Sequence, residues 1–242
     1  MRLGNSNIVL NRAIRKNEVD VNDSATYKGI FIKSVIFLVV TFLGVGLSYL
    51  LLNYDIGLLM MLLLFGSIAT VVTGIISFLS VRACKVTGSI YCFFEGLTIG
   101  TISILISEVL EGAVAAAILG TLATVAVVVF LFMSRIIKVG NGFLKFLLIF
   151  AISLFLTQLL FRFYIFIIGG TYSLNIQIVF SILSSFLATL YLFFDLRNIE
   201  RVVENHLSKK YEWYVSFGII YTVLWLYVEI LRIVVLFAGR RK

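Results

Sequence analysis

Residues Leu58–Val81 read LLMMLLLFGSIATVVTGIISFLSV, an uninterrupted apolar run that contains no charged side chain. An α-helix rises 1.5 Å per residue, so this run is about 36 Å long as a helix and exceeds the roughly 30 Å of bilayer hydrocarbon. In hydrocarbon a helix satisfies its own backbone hydrogen bonds, whereas an open strand does not. The run therefore predicts a transmembrane helix.

Six further apolar runs of comparable length occur on either side of it. Apolar residues make up 61% of the chain and charged residues only 13%, against the usual 45–50% and about 25% in soluble domains. We therefore predict an all-α integral membrane protein with seven transmembrane helices. The other six predicted spans are Ile30–Leu52, Ser89–Ser107, Ala113–Ser134, Phe146–Ile168, Asn175–Phe194 and Tyr214–Ala238.

The chain shows no linker that would divide it into several domains, because proline is absent and the 18 glycines are scattered. Residues 1–29 are polar and basic, and the first apolar run begins too late for a cleaved signal peptide. We interpret residues 1–29 as a cytoplasmic amino-terminal segment and residues 30–242 as one transmembrane domain.

Basic residues between the spans predict the orientation. Lys and Arg occur before the first span and after the second, fourth and sixth, whereas the alternate loops carry only Asp55, Glu108 and Glu111. Cytoplasmic loops are the basic ones, so the amino terminus should be cytoplasmic. The tail at residues 240–242 disagrees: with seven crossings it falls outside, so either the rule is overridden there or the last segment does not fully cross.

The net charge of +8 indicates contact with anionic lipid headgroups in the bilayer. Nucleic acid is not an expected partner, because the basic residues flank apolar runs instead of forming a patch with exposed aromatics. Cys84, Cys92 and His206 are too few for a zinc site, and two cysteines make no disulfide framework. We expect packed thiols and no cofactor.

Five ionisable residues fall within the predicted spans or at their ends. An ionisable side chain costs roughly 2.5–3.5 kcal/mol at mid-span, so it usually faces protein or water. Helix rise places two of them in an inner layer and three in the outer half of the membrane. The inner residues are Glu95 and Asp195, with Asp195 closing the sixth helix. The outer residues are Arg162, Glu229 and Arg232.

In the seventh span, Thr222, Trp225, Glu229 and Arg232 share one face, which should point into the bundle. Two interpretations of Glu229 and Arg232 stay open: an ion pair that lowers the cost of insertion, or part of a gate or ion path in which Arg162 competes for the carboxylate.

The sixth span carries a stripe of small and polar residues that should let the seventh approach it closely. At its end, Asp195 belongs either to an ion path or to a solvated helix end beside Arg197 and Arg201. The stripe consists of Ser181, Ser184, Ala188, Tyr191 and Asp195.

Several short motifs, taken in order and with their spacing, resemble the Bax inhibitor family (transmembrane Bax inhibitor motif). They are FEGLTIG at residues 94–100, FFDLRNI at 193–199 and LYVEILR at 226–232, and the stretch TYKG at 26–29, followed by Lys33 and Ser34, is similar to a bacterial branch. The resemblance covers nearly the whole chain. It implies that the protein lies in a bacterial cytoplasmic membrane.

The resemblance implies a bundle whose seventh helix is enclosed by the other six, and a pH-sensitive calcium leak. It also implies a carboxylate pair between the sixth and seventh helices that senses protons. Asp195 matches the first member, but Thr222 stands where the second would be, so Glu95 or Glu229 would have to supply that acid. Arg232 matches an arginine that latches helices.

Two functions follow as hypotheses. The first is a pH-sensitive calcium or cation leak gated by Asp195, Glu95 and Glu229, because calcium favours carboxylate oxygens and two close carboxylates repel until one is protonated. The alternative is a regulatory scaffold that binds a partner such as a membrane protease, for example through a loop at 198–213. We expect no enzyme, because no histidine-rich metal site, Gly-x-Gly-Asp motif or mid-span lysine in the seventh helix occurs.

Overall fold

The computed structural model describes residues 9–10, 23–137, 139–170 and 173–239. In this part of the chain, seven helices are long and apolar enough to cross a membrane, and β-structure is limited to one isolated bridge between Ser24 and Ser208. The predicted all-α, seven-span membrane architecture is confirmed. The helices are α1 (Tyr27–Tyr54), α2 (Ile56–Leu79), α3 (Cys84–Val109), α4 (Ala113–Met133), α5 (Asn141–Ile168), α6 (Leu174–Glu204) and α7 (Lys210–Gly239).

Local sequence explains where the first two helices begin. The Thr26 hydroxyl accepts a hydrogen bond from the Gly29 amide (3.0 Å) and so caps α1. A single residue, Asp55, separates α1 from α2, and its carboxylate accepts from the Leu58 amide (2.9 Å). Both are preferred N-cap residues because their oxygens satisfy amides that lack an intrahelical partner.

Helix α6 continues to Glu204, beyond the predicted end at Phe194. Residues 195–204 are too polar for their hydropathy to identify them as part of a span. Nevertheless, Asp195, Asn198 and Val202 recur at helical spacing and are all buried. The prediction that Asp195 closes the sixth helix is therefore wrong. The proposed docking loop at 198–213 is also wrong as a loop, since only residues 205–209 separate α6 from α7.

The helices form two compact units. The α1–α3 unit contains these three helices and residues 195–221. The α4–α5 unit contains residues 110–194 and 222–239, so α6 and α7 contribute to both units. Most of the predicted segment 1–29 lies outside the described residues. The assignment of residues 30–242 to one domain stays a prediction, because compactness does not measure independent folding.

Glycines bring α1 and α3 into backbone contact in the α1–α3 unit. A Cβ atom on Gly44 would lie 2.8 Å from the Leu97 amide nitrogen, and one on Gly96 would lie 2.8 Å from the Thr41 carbonyl carbon. Residues without side chains let helices approach this closely in membranes. Gly96 and Gly100, four residues apart in the third span, predict a small-residue packing seam, and this seam is present.

In the α4–α5 unit, Leu147, Leu154 and Leu187 form a buried cluster against which Trp225 packs. A Cβ on Gly120 of α4 would lie 3.2 Å from Ile230 Cγ2 on α7. Four small residues of the fourth span predict a similar seam by their four-residue spacing, namely Gly112, Ala116, Gly120 and Thr124. A Cβ on Gly112, however, would have no atom within 4 Å. The buried small residues of α4 lie one position further on, at Ala113, Ala117 and Thr121.

Helix α7 packs against other helices within each unit. In the α1–α3 unit, the Ser216 hydroxyl donates to the Ile30 carbonyl (2.8 Å), and the Phe217 ring packs 5.2 Å from Phe78 and 5.3 Å from Tyr91. These contacts join α7 to α1, α2 and α3. In the α4–α5 unit, α7 contacts α4 through Ile230.

A matched pair of substitutions tests the seam. We expect Gly44→Ala to lower the free energy of unfolding by about 1–3 kcal/mol, because the new methyl group would strike the α3 backbone. Gly46→Ala, two residues further along α1, enters open space and should be neutral or slightly stabilising, since alanine favours helix by about 1 kcal/mol. Thermal unfolding in detergent micelles measures both. Equal effects would contradict the backbone contact.

Candidate functional site

A cavity of about 330 Å³ lies within the α1–α3 unit and contains one acidic residue, Glu95. Three helices form its wall, with α2 supplying most of the apolar surface. The lining residues are Thr70, Val71, Gly74, Ile75 and Phe78 from α2, Tyr91 and Glu95 from α3, and Tyr221 from α7.

The Glu95 carboxylate has no ion pair or hydrogen bond to any residue in the described part of the chain. Its titratable neighbours there are the phenols of Tyr91 and Tyr221 and the thiol of Cys92. An uncompensated carboxylate in a membrane helix is costly, so it indicates a role in binding or conduction.

Asp195 is also buried, with 7% of its surface exposed, so the solvated helix end considered for it is wrong. Arg197 pairs instead with Glu200, one turn further along α6. A Cβ on Gly218 would lie 3.2 Å from Asp195 Oδ1, so this glycine leaves room for the carboxylate. Gly218 and Tyr221 are three residues apart, and Asp195 and Glu95 therefore flank the same turn of α7.

Glu229 is the centre of a separate cluster in the α4–α5 unit. Ser184 donates to its Oε1 (2.9 Å) and Arg232 to its Oε2 (3.1 Å), with weaker contacts from Ser181 and Trp225 (both 3.4 Å). The predicted meeting of the sixth and seventh spans occurs here. Because these donors surround the carboxylate, its negative charge is compensated.

The two arginines predicted to lie in the outer half of the membrane, Arg162 and Arg232, differ in their ion pairs. Arg232 pairs with Glu229, although half of its side chain is exposed, so only part of the predicted inward face points into the protein. Arg162 is exposed on α5 and forms no ion pair with a described residue; the expected competition for Glu229 is not found. Thr222 is buried, and its hydroxyl does not ionise as an aspartate would.

Sequence reasoning missed a buried ion pair at the start of α7. Glu212, with 1% of its surface exposed, pairs with Lys33 of α1 and accepts a hydrogen bond from the Thr26 amide (2.8 Å). Gly29 leaves room for this carboxylate, because a Cβ there would overlap it. The stretch TYKG and Lys33 belong to the family resemblance, but no local pattern identifies an acid 179 residues beyond Lys33.

Trp213, next to Glu212, lies beside two lysine side chains. The Lys33 and Lys85 ammonium groups are 5.5 Å and 5.4 Å from the centre of its ring. Both distances allow cation–π attraction. This cluster therefore connects α1, α3 and α7 at one end of the unit.

The described residues contain no group of three His, Cys, Asp or Glu side chains placed to hold a metal ion. Cys84 and Cys92 are both buried and unoxidised.

The Lys33–Glu212 pair predicts a large stability effect. Lys33→Met should lower the free energy of unfolding by about 3 kcal/mol, because it leaves a buried carboxylate without its cation. Lys28→Met is the matched control, since Lys28 is exposed on the same helix, and it should change little. Thermal unfolding in micelles measures both. If Lys33→Met and Lys28→Met behave alike, the pair contributes no stability.

Comparison with known proteins agrees with the motifs quoted above. No curated protein matches the chain. A family model described as Bax inhibitor 1 like matches residues 7–239, which is nearly the full length and includes all seven helices. The chain therefore belongs to the Bax inhibitor 1 like family of membrane proteins.

Proposed function

We propose that this protein is a passive, pH-sensitive leak for calcium or other cations, with Glu95 and Asp195 on the ion path. The observation that carries the proposal is the Glu95 carboxylate, which lines a cavity inside a membrane-spanning unit without a cationic partner among the described residues. Glu229 and Arg232 form a latch in this proposal.

The chemistry of the two acids supports cation passage. Calcium prefers hard oxygen ligands, which carboxylates supply. An ionised carboxylate attracts a cation, and a proton that binds to the carboxylate removes this attraction. Protons and calcium therefore compete for the same groups, which makes the leak sensitive to pH.

Glu229 is less suited to the ion path. Ser184, Arg232 and weaker donors already occupy its oxygens, so a passing cation would have to displace them. The same bonds join α6 to α7 within the α4–α5 unit. A contact of this kind suits a latch whose breakage permits movement of α7.

We also propose that the amino terminus is cytoplasmic and that the membrane is the bacterial cytoplasmic membrane. Arg82 lies between α2 and α3, and Lys85 lies in the first turn of α3. Lys209 precedes α7, and Lys210 is its first residue. The positive-inside rule favours a cytoplasmic position for both connections. Helix α7 has 30 residues and is about 45 Å long, enough to cross. The basic tail at 240–242 lies outside the described residues.

The scaffold alternative loses the loop on which it relied. Only residues 205–209 are non-helical there, and Leu207 is fully buried, with its carbonyl accepting from the Ala25 amide (2.7 Å). A partner such as a membrane protease would need another surface. That the protein is not an enzyme and carries no cofactor stays a prediction.

Calcium flux into liposomes tests the leak. We expect wild-type protein to conduct, and Glu95→Gln to lower the flux by roughly tenfold or more, which corresponds to about 1.4 kcal/mol in the barrier. Asp195→Asn should weaken the pH dependence between about pH 5 and about pH 8, because it removes one of the two groups that can take up a proton. Glu108→Gln is the matched control, since Glu108 is exposed on the same helix as Glu95, and it should conduct normally.

The flux measurements also separate the path from the latch. Glu229→Gln should keep a pH-dependent flux while raising its basal level, because the latch is weakened. Absence of flux in wild-type protein at every pH, or unchanged flux in Glu95→Gln, would overturn the leak.

Cysteine labelling tests the orientation. A membrane-impermeant maleimide added to intact cells should label Glu111→Cys and leave Glu204→Cys unlabelled, because these exposed residues lie on opposite sides in the proposed topology. The native thiols are buried and give little background. The reverse pattern would place the amino terminus outside.

A further inference from the structure

We propose that the cavity beside Glu95 binds a small organic cation with apolar substituents, of the quaternary ammonium class. This ligand class goes beyond the proposed ion leak, and binding does not require that the chain conduct ions. The proposal rests on the size of the cavity, its aromatic wall and its single acidic group.

The cavity has the dimensions of a small-molecule site. Its volume of about 330 Å³ lies at the lower end of the range of roughly 300–1,000 Å³ that ligand pockets occupy. Such pockets are mainly apolar and contain a few polar groups that orient the ligand. Here those groups are Glu95, the Thr70 hydroxyl and two phenols.

Three aromatic residues line the cavity. The Tyr221 ring centre lies 5.0 Å from that of Phe78, nearly perpendicular to it at 84°, and 5.5 Å from that of Tyr91, at 39°. Phe217 packs behind them, 5.2 Å from Phe78 and 5.3 Å from Tyr91. The rings therefore pack against one another and form one aromatic side of the cavity, and aromatic rings attract quaternary ammonium ions through cation–π interactions.

The acid supplies the charge that such a ligand needs. Glu95 lacks a cationic partner among the described residues, so a bound cation would compensate its carboxylate. Its neighbour Thr70 donates its hydroxyl to the Gly66 carbonyl (2.7 Å). A quaternary ammonium group needs no hydrogen bonds, and a wall that is mostly aromatic and aliphatic can therefore hold it.

A tightly held metal ion fits this wall less well. Calcium takes six to eight oxygen ligands, and the lining provides only a few, from Glu95, Thr70, Tyr91 and Tyr221. A calcium ion that crosses here would keep most of its water. An organic cation, by contrast, replaces water with contacts to Phe78 and the two tyrosine rings.

Exposed apolar side chains adjoin the cavity on α2. Val71 and Ile75 both line it and are more than half exposed. In a membrane these side chains face lipid or another apolar surface. Apolar substituents on the cation therefore match the surroundings from which it would enter.

Binding of radiolabelled choline to the purified full-length chain, by equilibrium dialysis in micelles without choline headgroups, tests the proposal. We expect saturable binding that excess unlabelled tetramethylammonium displaces and that the uncharged carbon isostere of choline does not displace. Displacement by the isostere to the same extent would show that charge plays no part and would overturn the proposal.

Matched variants locate the site. Glu95→Gln should weaken binding by roughly tenfold or more, while Glu108→Gln on the same helix should bind as wild type. Tyr221→Leu should weaken binding, and Tyr221→Phe, which keeps the ring, should retain it. Gel filtration shows that each variant is folded. Unchanged binding in Glu95→Gln, or equal loss in Tyr221→Leu and Tyr221→Phe, would overturn the assignment, and neither result depends on calcium flux.

Discussion

Hydrocarbon cannot solvate charge, and this constraint determines how the protein treats each acid in its helices. Glu212 is compensated by Lys33 and by the Thr26 amide. Glu229 is compensated by Arg232 and Ser184. Glu95 has a cavity instead of such a partner in the described part of the chain. That difference separates acids that hold helices together from an acid available to a cation.

Packing between helices positions the Glu95 carboxylate. Gly96 carries no side chain, so α3 lies directly on the α1 backbone at Thr41. Glu95 is the preceding residue, and successive helical residues point about 100° apart. Its carboxylate therefore points away from α1, towards the cavity that α2 and α7 line. Gly218 of α7 also has no side chain, and this leaves room for the Asp195 carboxylate.

The structure differs from the carboxylate pair that the family resemblance implies. Thr222 occupies the position where the resemblance implies an aspartate, and it is buried like its neighbours. Asp195 keeps its position but lies within a continuous helix instead of at its end. The acids beside this part of α7 lie on α6 and α3, at Asp195 and Glu95.

The sequence by itself determined the seven spans, the small-residue seam of α3 and two acids within the spans, Glu95 and Glu229, because membrane thickness and helix periodicity act on neighbouring residues. It did not reveal that Asp195 is buried or that α6 continues to Glu204, since polar residues at helical spacing lower hydropathy without ending a helix. The pairing of Lys33 with Glu212 and the cavity at Glu95 depended on tertiary structure. These arise from contacts between helices far apart in the chain, and the spacing of residues along one helix does not specify its neighbours.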